Sequence, residues 1–348
     1  MVSIQRIHAH NASLKSLTPN LVAVFVGGTS GISLSTALAL ARHTISPKIY
    51  LIGRSQSAAS AAIASMKQIN PSAQPTFLQT DISLLRNVDR VCREIAAREP
   101  KLNLLFMTPG LITLHGRDET VEGLDRKMVL HYYARMRFVA NLLPLLKRAR
   151  EDVSVSVAER LSRVVSVFDP IVSVRAGGAG ALNFDDLELK RTFSLKNAGD
   201  HASLMGDFWL EGMAERHPGT AFVHAYPSGV ATGVLREVPG ARLLSGVLKW
   251  VLWPFMVPVE ESGERHLFAA TSGRFPCRED GEAEQQQQQE EEEDVAVGSD
   301  GVRGSGCYWV SWNGEVFPRN QKLEKTRDQD AVTKVLQHTD EVFQRVCT

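Results

Sequence analysis

Cysteine is scarce. Cys92, Cys277, Cys307 and Cys347 are scattered over 348 residues, and no pair has the spacing of a metal site or a redox couple. A disulfide scaffold is therefore not expected, and a reducing compartment, the cytoplasm, fits best. An excess of one charge is also missing. The 39 basic and 39 acidic residues give a net charge of +0, so nothing argues for a nucleic-acid partner. The N-terminal stretch "MVSIQRIHAHNASLKSL" has no apolar core, which argues against a secretory signal. Long apolar runs are absent too. The richest, "GVLKWVLWPFMVPVE", is broken by Lys249, Pro254 and Pro258, so no membrane span is expected. No internal repeat is visible.

What remains is 43% hydrophobic, enough for a sizeable core. Its apolar residues come in short runs: Leu21–Val26, Lys48–Gly53, Pro75–Thr80, Leu102–Met107, Ser162–Phe168, Thr220–Tyr226 and Cys307–Trp312. They are apolar on consecutive positions, as strands buried on both faces of a parallel sheet must be. Helical patterns lie between them at Ile32–Arg42, Ala58–Ile69, Leu84–Arg98, Glu122–Arg150 and Leu195–Arg216. The alternation predicts one α/β domain over residues 1–348, with a doubly wound parallel sheet of about seven strands.

Two segments break the rhythm. Residues 241–271, including Trp250–Val257, read either as an apolar lid over a ligand or as a helix packed into the core. Residues 278–300 open with "REDGEAEQQQQQEEEED", which has no apolar anchor and predicts a disordered loop.

The stretch "VGGTSGIS", Val26 to Ser33, ends a buried strand and opens a helix. Gly27, Gly28 and Gly31 would let backbone approach a pyrophosphate, at a helix start that offers free N–H groups. Thr29 and Ser30 add hydroxyls, and Ile32 closes the turn. A plain strand–helix bend is the alternative. The second strand ends in "LIGRS". Arg54 stands where an acid would hold ribose hydroxyls in an NAD site, and its guanidinium suits a 2′-phosphate, so the expected cofactor is NADP(H). A solvated surface arginine is the other reading. Asp81 is placed either to accept from an adenine amino group or to form a turn.

These pieces resemble the short-chain dehydrogenase/reductase family. The resemblance rests on "VGGTSGIS", Asp81, "MTPG" (Met107–Gly110), Ser166 in "RVVSV" and "AYPSGVAT" (Ala225–Thr232), and it covers about residues 18–275 with the tail "GSDGVRGSG". "FDDLEL" (Phe184–Leu189) is similar to the retinol-dehydrogenase-like branch. "EGLDRKMVLHYYARMRF" and "HAYPSGV" resemble a fungal branch common in specialised-metabolite pathways. The resemblance implies a Rossmann-type fold. It also implies cofactor contacts at Pro109, Gly110, Pro227 and Thr232, and a small-molecule substrate, which the Trp250–Val257 run would make bulky and apolar. A homodimer is compatible with it.

The family reduces carbonyls with a Tyr acid, a Lys four residues on and a Ser that polarises the carbonyl. Here Ser166 supplies the Ser, but the Tyr-x-x-x-Lys pair is missing. One register puts Phe193 and Asn197 at its positions, the other Gly199 and Ser203. His131 replaces the usual Asn of the preceding helix, and Ser33 the third glycine of the turn. Substitute acids are His201, first, and Tyr133, with Arg137 one turn on; His131 also titrates near neutrality. Each could equally be a packed or solvated side chain. Three functions follow: an NADP(H)-dependent reductase or dehydrogenase, a non-redox isomerase, dehydratase or cyclase, and an inactive nucleotide-binding protein. The acidic run from Arg278 to Asp294 cannot bury apolar area, so its deletion is expected to leave the melting temperature nearly unchanged. A large drop in a melting scan would make the run structural.

Overall fold

The computed structural model describes residues 1–16, 20–155, 160–170, 182–230, 256–281, 295–318, 321–327 and 330–347. Its centre is a seven-stranded sheet of β1 (Val22–Val26), β2 (Lys48–Gly53), β3 (Gln74–Gln79), β4 (Leu104–Met107), β5 (Arg163–Val167), β6 (Ala221–Ala225) and β7 (Cys307–Val310). All pairings are parallel, in the order β3-β2-β1-β4-β5-β6-β7. Strands from both halves of the chain share this sheet, so the described residues form a single α/β domain. The order reverses between β1 and β4, which opens a crevice at their C-terminal ends.

The helices are α1 (Ile4–Ser13), α2 (Gly31–His43), α3 (Gln56–Ile69), α4 (Leu85–Arg98), α5 (Arg126–Met128), α6 (Ala134–Arg150), α7 (Leu195–Arg216), α8 (Val259–Thr271), α9 (Gln321–Arg327) and α10 (Ala331–Cys347). A π-helical turn, Val129–Tyr133, joins α5 to α6. Alternate residues of β1 face opposite layers. Val22, Val24 and Val26 pack with α4, α6, α7 and α10, whereas Ala23 and Phe25 pack with α1, α2 and α8. Burial on both faces is the reason these strands carry consecutive apolar residues.

Three expectations change. The segment Val259–Thr271 is a buried helix on α2 rather than a lid, and residues 231–255, with Thr232 and Trp250–Phe255, lie outside the described residues. The bounds 278–300 were too wide for a loop. Arg278 binds Ser305 O and Asp300, Gly281 abuts Gly304 and Ala296 is buried; only 282–294 lies outside the described residues, so the deletion test belongs there. The helix expected from Glu122 begins at Arg126, where Asp125 accepts from the N–H groups of Lys127 and Met128. Helix α10 escaped the sequence reading, although Val335, Leu336, Thr339, Val342, Phe343 and Val346 mark its buried stripe at helical spacing.

The α2–α8 contact carries the glycine turn, because α2 starts in it. A Cβ on Gly263 would lie 2.3 Å from Ser35 Oγ and 2.8 Å from the Ser35 carbonyl carbon. Gly263→Ala must push the two helices apart and is expected to cost about 1–3 kcal/mol. Calorimetry should show a melting point several degrees lower; an unchanged one would mean the helices are not held at this contact.

Candidate active site

A cleft of about 550 Å³ opens at the reversal point. Its floor is the turn after β1. Gly27 (φ +78°) and Gly31 (φ +59°) hold left-handed backbone that a side chain would strain. The Gly27 and Gly28 N–H groups donate to Ile52 O, which pins the turn to β2. Ser30 is the N-cap of α2, yet its side chain makes no capping bond, so the first-turn N–H groups keep no side-chain acceptor. Gly27, Thr29, Ser30, Gly31 and Ile32 all line the cleft. Ser33 does not. It is fully buried behind the turn, and its Oγ has no partner among the described residues.

Arg54 stands exposed on the rim, beside Ser55, which caps α3. Among the described residues its guanidinium makes no ion pair. Asp81 also lines the rim, and its Oδ1 accepts from Ser83 N, so the turn-forming reading holds for that oxygen. Between them Thr80 lines the cleft with a buried, unpartnered Oγ1. A glycine turn that no side chain could adopt without strain, an uncapped helix start and this orphan hydroxyl together fit a dinucleotide. Pro109 and Gly110, after β4, form the middle wall; Pro227, Ser228, Gly229 and Val230, after β6, form the far one.

The inner end is built by the π turn and α6. His131 Nε2 accepts from Leu111 N at 3.1 Å, and its ring stacks on Phe168 at 4.7 Å. Burial, with the charges of Arg135 and Lys127, holds its pKa down to about 3, so the ring is neutral and carries its proton on Nδ1. Arg135, 1% exposed, lies over the same Phe168 ring. It donates to Leu130 O, Ser166 Oγ, Val167 O and Pro109 O.

A family model described as short chain dehydrogenase matches residues 21–159. The protein named Oxidoreductase AN1596 of Emericella nidulans is 41% identical over 99% of this chain and 98% of its own length. The chain belongs to the short-chain dehydrogenase/reductase family. Short-chain dehydrogenase/reductase SAT2 of Stachybotrys chartarum is 28% identical over 97% of this chain and 96% of its own length. Among solved structures, an NADPH-bound carbonyl reductase from chicken fatty liver superposes with a TM-score of 0.51 at 16% identity, covering 87% of this chain and all of that one, which speaks to the fold alone.

The catalytic positions expected for a member of this family do not converge. Ser166 is buried, does not line the cleft, and spends its oxygen on Arg135; the strand-end residues that reach the cleft are Val167 and Phe168. His201 is likewise outside. Its Nε2 accepts from Asn183 N and its Nδ1 donates to Leu187 O, so both nitrogens fasten the 183–187 segment, and burial lowers its pKa. Tyr133 points away, with its hydroxyl on His338 of α10 and its pKa raised by burial. Arg137, its supposed helper, pairs instead with Asp89. In the two registers, Phe193 lies under Lys127, Asn197 donates to Thr192 O, nothing stands within 4 Å of a Cβ at Gly199, and Ser203 donates to Asp169 O. Arg135 was not among the residues singled out from the sequence. Its i,i+4 spacing from His131, which already stood at a family site position, is the signal that could have found it.

His131 gives this end a pH signature. Its pKa is lower folded than unfolded, so its stabilising share is complete above about pH 6.5 and is lost as pH falls, because the unfolded chain binds the proton first. From about pH 7 to pH 5 that share is about 2 kcal/mol. His10 and His266, each held to about 4 by burial, add to the same acid slope. The melting temperature of His131→Phe should therefore fall less between these pH values than that of the unaltered chain. Parallel curves would mean that His131 is solvated.

Proposed function

We propose that the chain is a cytoplasmic, NADP(H)-dependent oxidoreductase that acts on an apolar small molecule. The observation that carries the cofactor choice is Arg54. It stands on the cleft rim at the end of β2 with no acidic partner among the described residues, and a planar guanidinium there matches a 2′-phosphate and not a pair of ribose hydroxyls. NADP(H), when bound, supplies the hydride exchange. The chain's own residues seat its phosphates at Gly27–Ile32 and its adenine end near Thr80 and Asp81.

The substrate class rests on the segment after β4. Leu111 and Ile112 line the cleft, and Ile112 is 45% exposed there, so apolar side chains face its opening. The fungal relatives and the branch-like motifs support a role in specialised metabolism. Buried free thiols at Cys92, Cys277 and Cys307 suit a reducing compartment, and no helix among the described residues is long and apolar enough to cross a membrane.

A second reading, a non-redox isomerase, dehydratase or cyclase, is favoured by one observation. Neither a phenol nor a lysine ammonium lines the cleft among the described residues. Following nicotinamide absorbance alongside product formation separates the two, since turnover with no change in cofactor oxidation state rejects the oxidoreductase. For the cofactor, Arg54→Asp is expected to weaken NADPH by about tenfold or more, equivalent to about 1.4 kcal/mol, and to leave NADH nearly unchanged. Equal weakening of both in a titration would remove Arg54 as the phosphate reader.

A further inference from the structure

Arg135 is a buried cation without a counter-ion among the described residues. Other inward-facing arginines are compensated. Arg137 has Asp89, Arg327 has Glu211, and the buried Arg163 donates to Ala269 O, Ser272 O and Phe275 O, at the negative C-terminal end of α8. The acceptors of Arg135 are three carbonyls and a serine hydroxyl, all neutral, and among the described residues no carboxylate pairs with it. Burying such a charge costs several kcal/mol, and burial alone pulls its pKa down to about 9.

The donors left over point to what completes the site. A guanidinium has five N–H groups. Four are engaged, by Leu130 O, Ser166 Oγ, Val167 O and Pro109 O, which leaves one on Nη2. His131 adds the Nδ1–H that its bond from Leu111 N leaves over, and no described group accepts it. Both side chains line the cleft and both flank the Phe168 ring, His131 at 4.7 Å and Arg135 at 5.4 Å. Two N–H donors and one uncompensated positive charge thus meet beside an aromatic face, with Leu111, Ile112 and Leu130 leading outward.

We propose that this inner end of the cleft is an oxyanion subsite, in which Arg135 and His131 bind the delocalised negative oxygen, carboxylate or enolate, of an apolar substrate. Such an anion neutralises the guanidinium in a site of low polarity, where a charge-assisted hydrogen bond is strongest. The neutral His131 ring orients it by donation and carries no charge of its own. The proposal deepens the oxidoreductase reading by naming the substrate class, and it rests on this cleft being the reactive site.

Decanoate and 2-octylcyclohexane-1,3-dione are the anionic probes, decanol the neutral one, titrated calorimetrically into the full chain near neutral pH. The unaltered chain is expected to bind at least one anion about tenfold more tightly than decanol; preference for decanoate marks a carboxylate substrate, preference for the dione an enolate. His131→Phe, which keeps a ring over Phe168, should weaken the anion severalfold and leave decanol unchanged. Arg135→Gln should abolish the preference. Equal binding of anions and decanol to the unaltered chain overturns the subsite. So does a full preference retained in His131→Phe, or in an Arg135→Gln chain that melts like the unaltered one. If Arg135→Gln does not fold, the first two comparisons decide. NADPH is titrated separately. Anion preference without NADPH binding sinks the cofactor reading and leaves the subsite, whereas loss of NADPH but not anion affinity in Arg135→Gln assigns the guanidinium to the cofactor and overturns the subsite.

Discussion

The guanidinium of Arg135 ties the cleft together. In one plane it gathers the carbonyls that follow β4 and end β5, the hydroxyl of Ser166 and the carbonyl of Leu130 in the π turn. No apolar residue could make these four hydrogen bonds. The arrangement needs α6 to present Arg135 one turn beyond His131, which lies in the π turn that leads into α6. Phe168 then closes the stack from the strand end. The inner wall is therefore one cooperative unit, and its residues are expected to couple strongly when altered together.

The outer half of the cleft answers to a different constraint. The glycine turn is held to β2 by two backbone bonds to Ile52 O, and α2 is held by the close approach of Gly263 to Ser35. These contacts are independent of Arg135. The outer half of the cleft carries the glycine turn, while the inner half presents a guanidinium and a neutral imidazole, with neither a phenol nor a lysine ammonium among the described lining residues. A single sheet lets both coexist, because loops at strand ends vary while the strands that carry them stay packed on two faces.

Much of this was legible in the amino-acid sequence. Six of the seven strands follow from consecutive apolar runs, since a strand covered on both faces has no polar side to display; the edge strand β3, with only Leu78 buried, does not. The turn at Gly27–Gly31 follows from glycine spacing between a strand and a helix, and Arg54 from its place at the end of β2. The assignments that did not survive as cleft residues were Ser166, His201 and Tyr133. Each is a reactive residue type near the expected position, but reactivity depends on which way a side chain faces. Val167 and Phe168, at and just past the end of β5, line the opening, while the Ser166 hydroxyl is buried on Arg135. Tyr133 is turned onto a C-terminal helix that lies 205 residues further along the chain.

The sequence by itself thus determined the α/β fold, the sheet and the nucleotide-type turn, because these depend on local periodicity and on spacings within a few residues. Tertiary structure alone decided that Arg135 is buried without an acid, that His131 stays neutral, and that His201 serves the 183–187 segment. Those properties depend on desolvation and on partners brought from distant elements, Pro109, Ser166 and Val167 for the one, Asn183 and Leu187 for the other, and no local pattern encodes them.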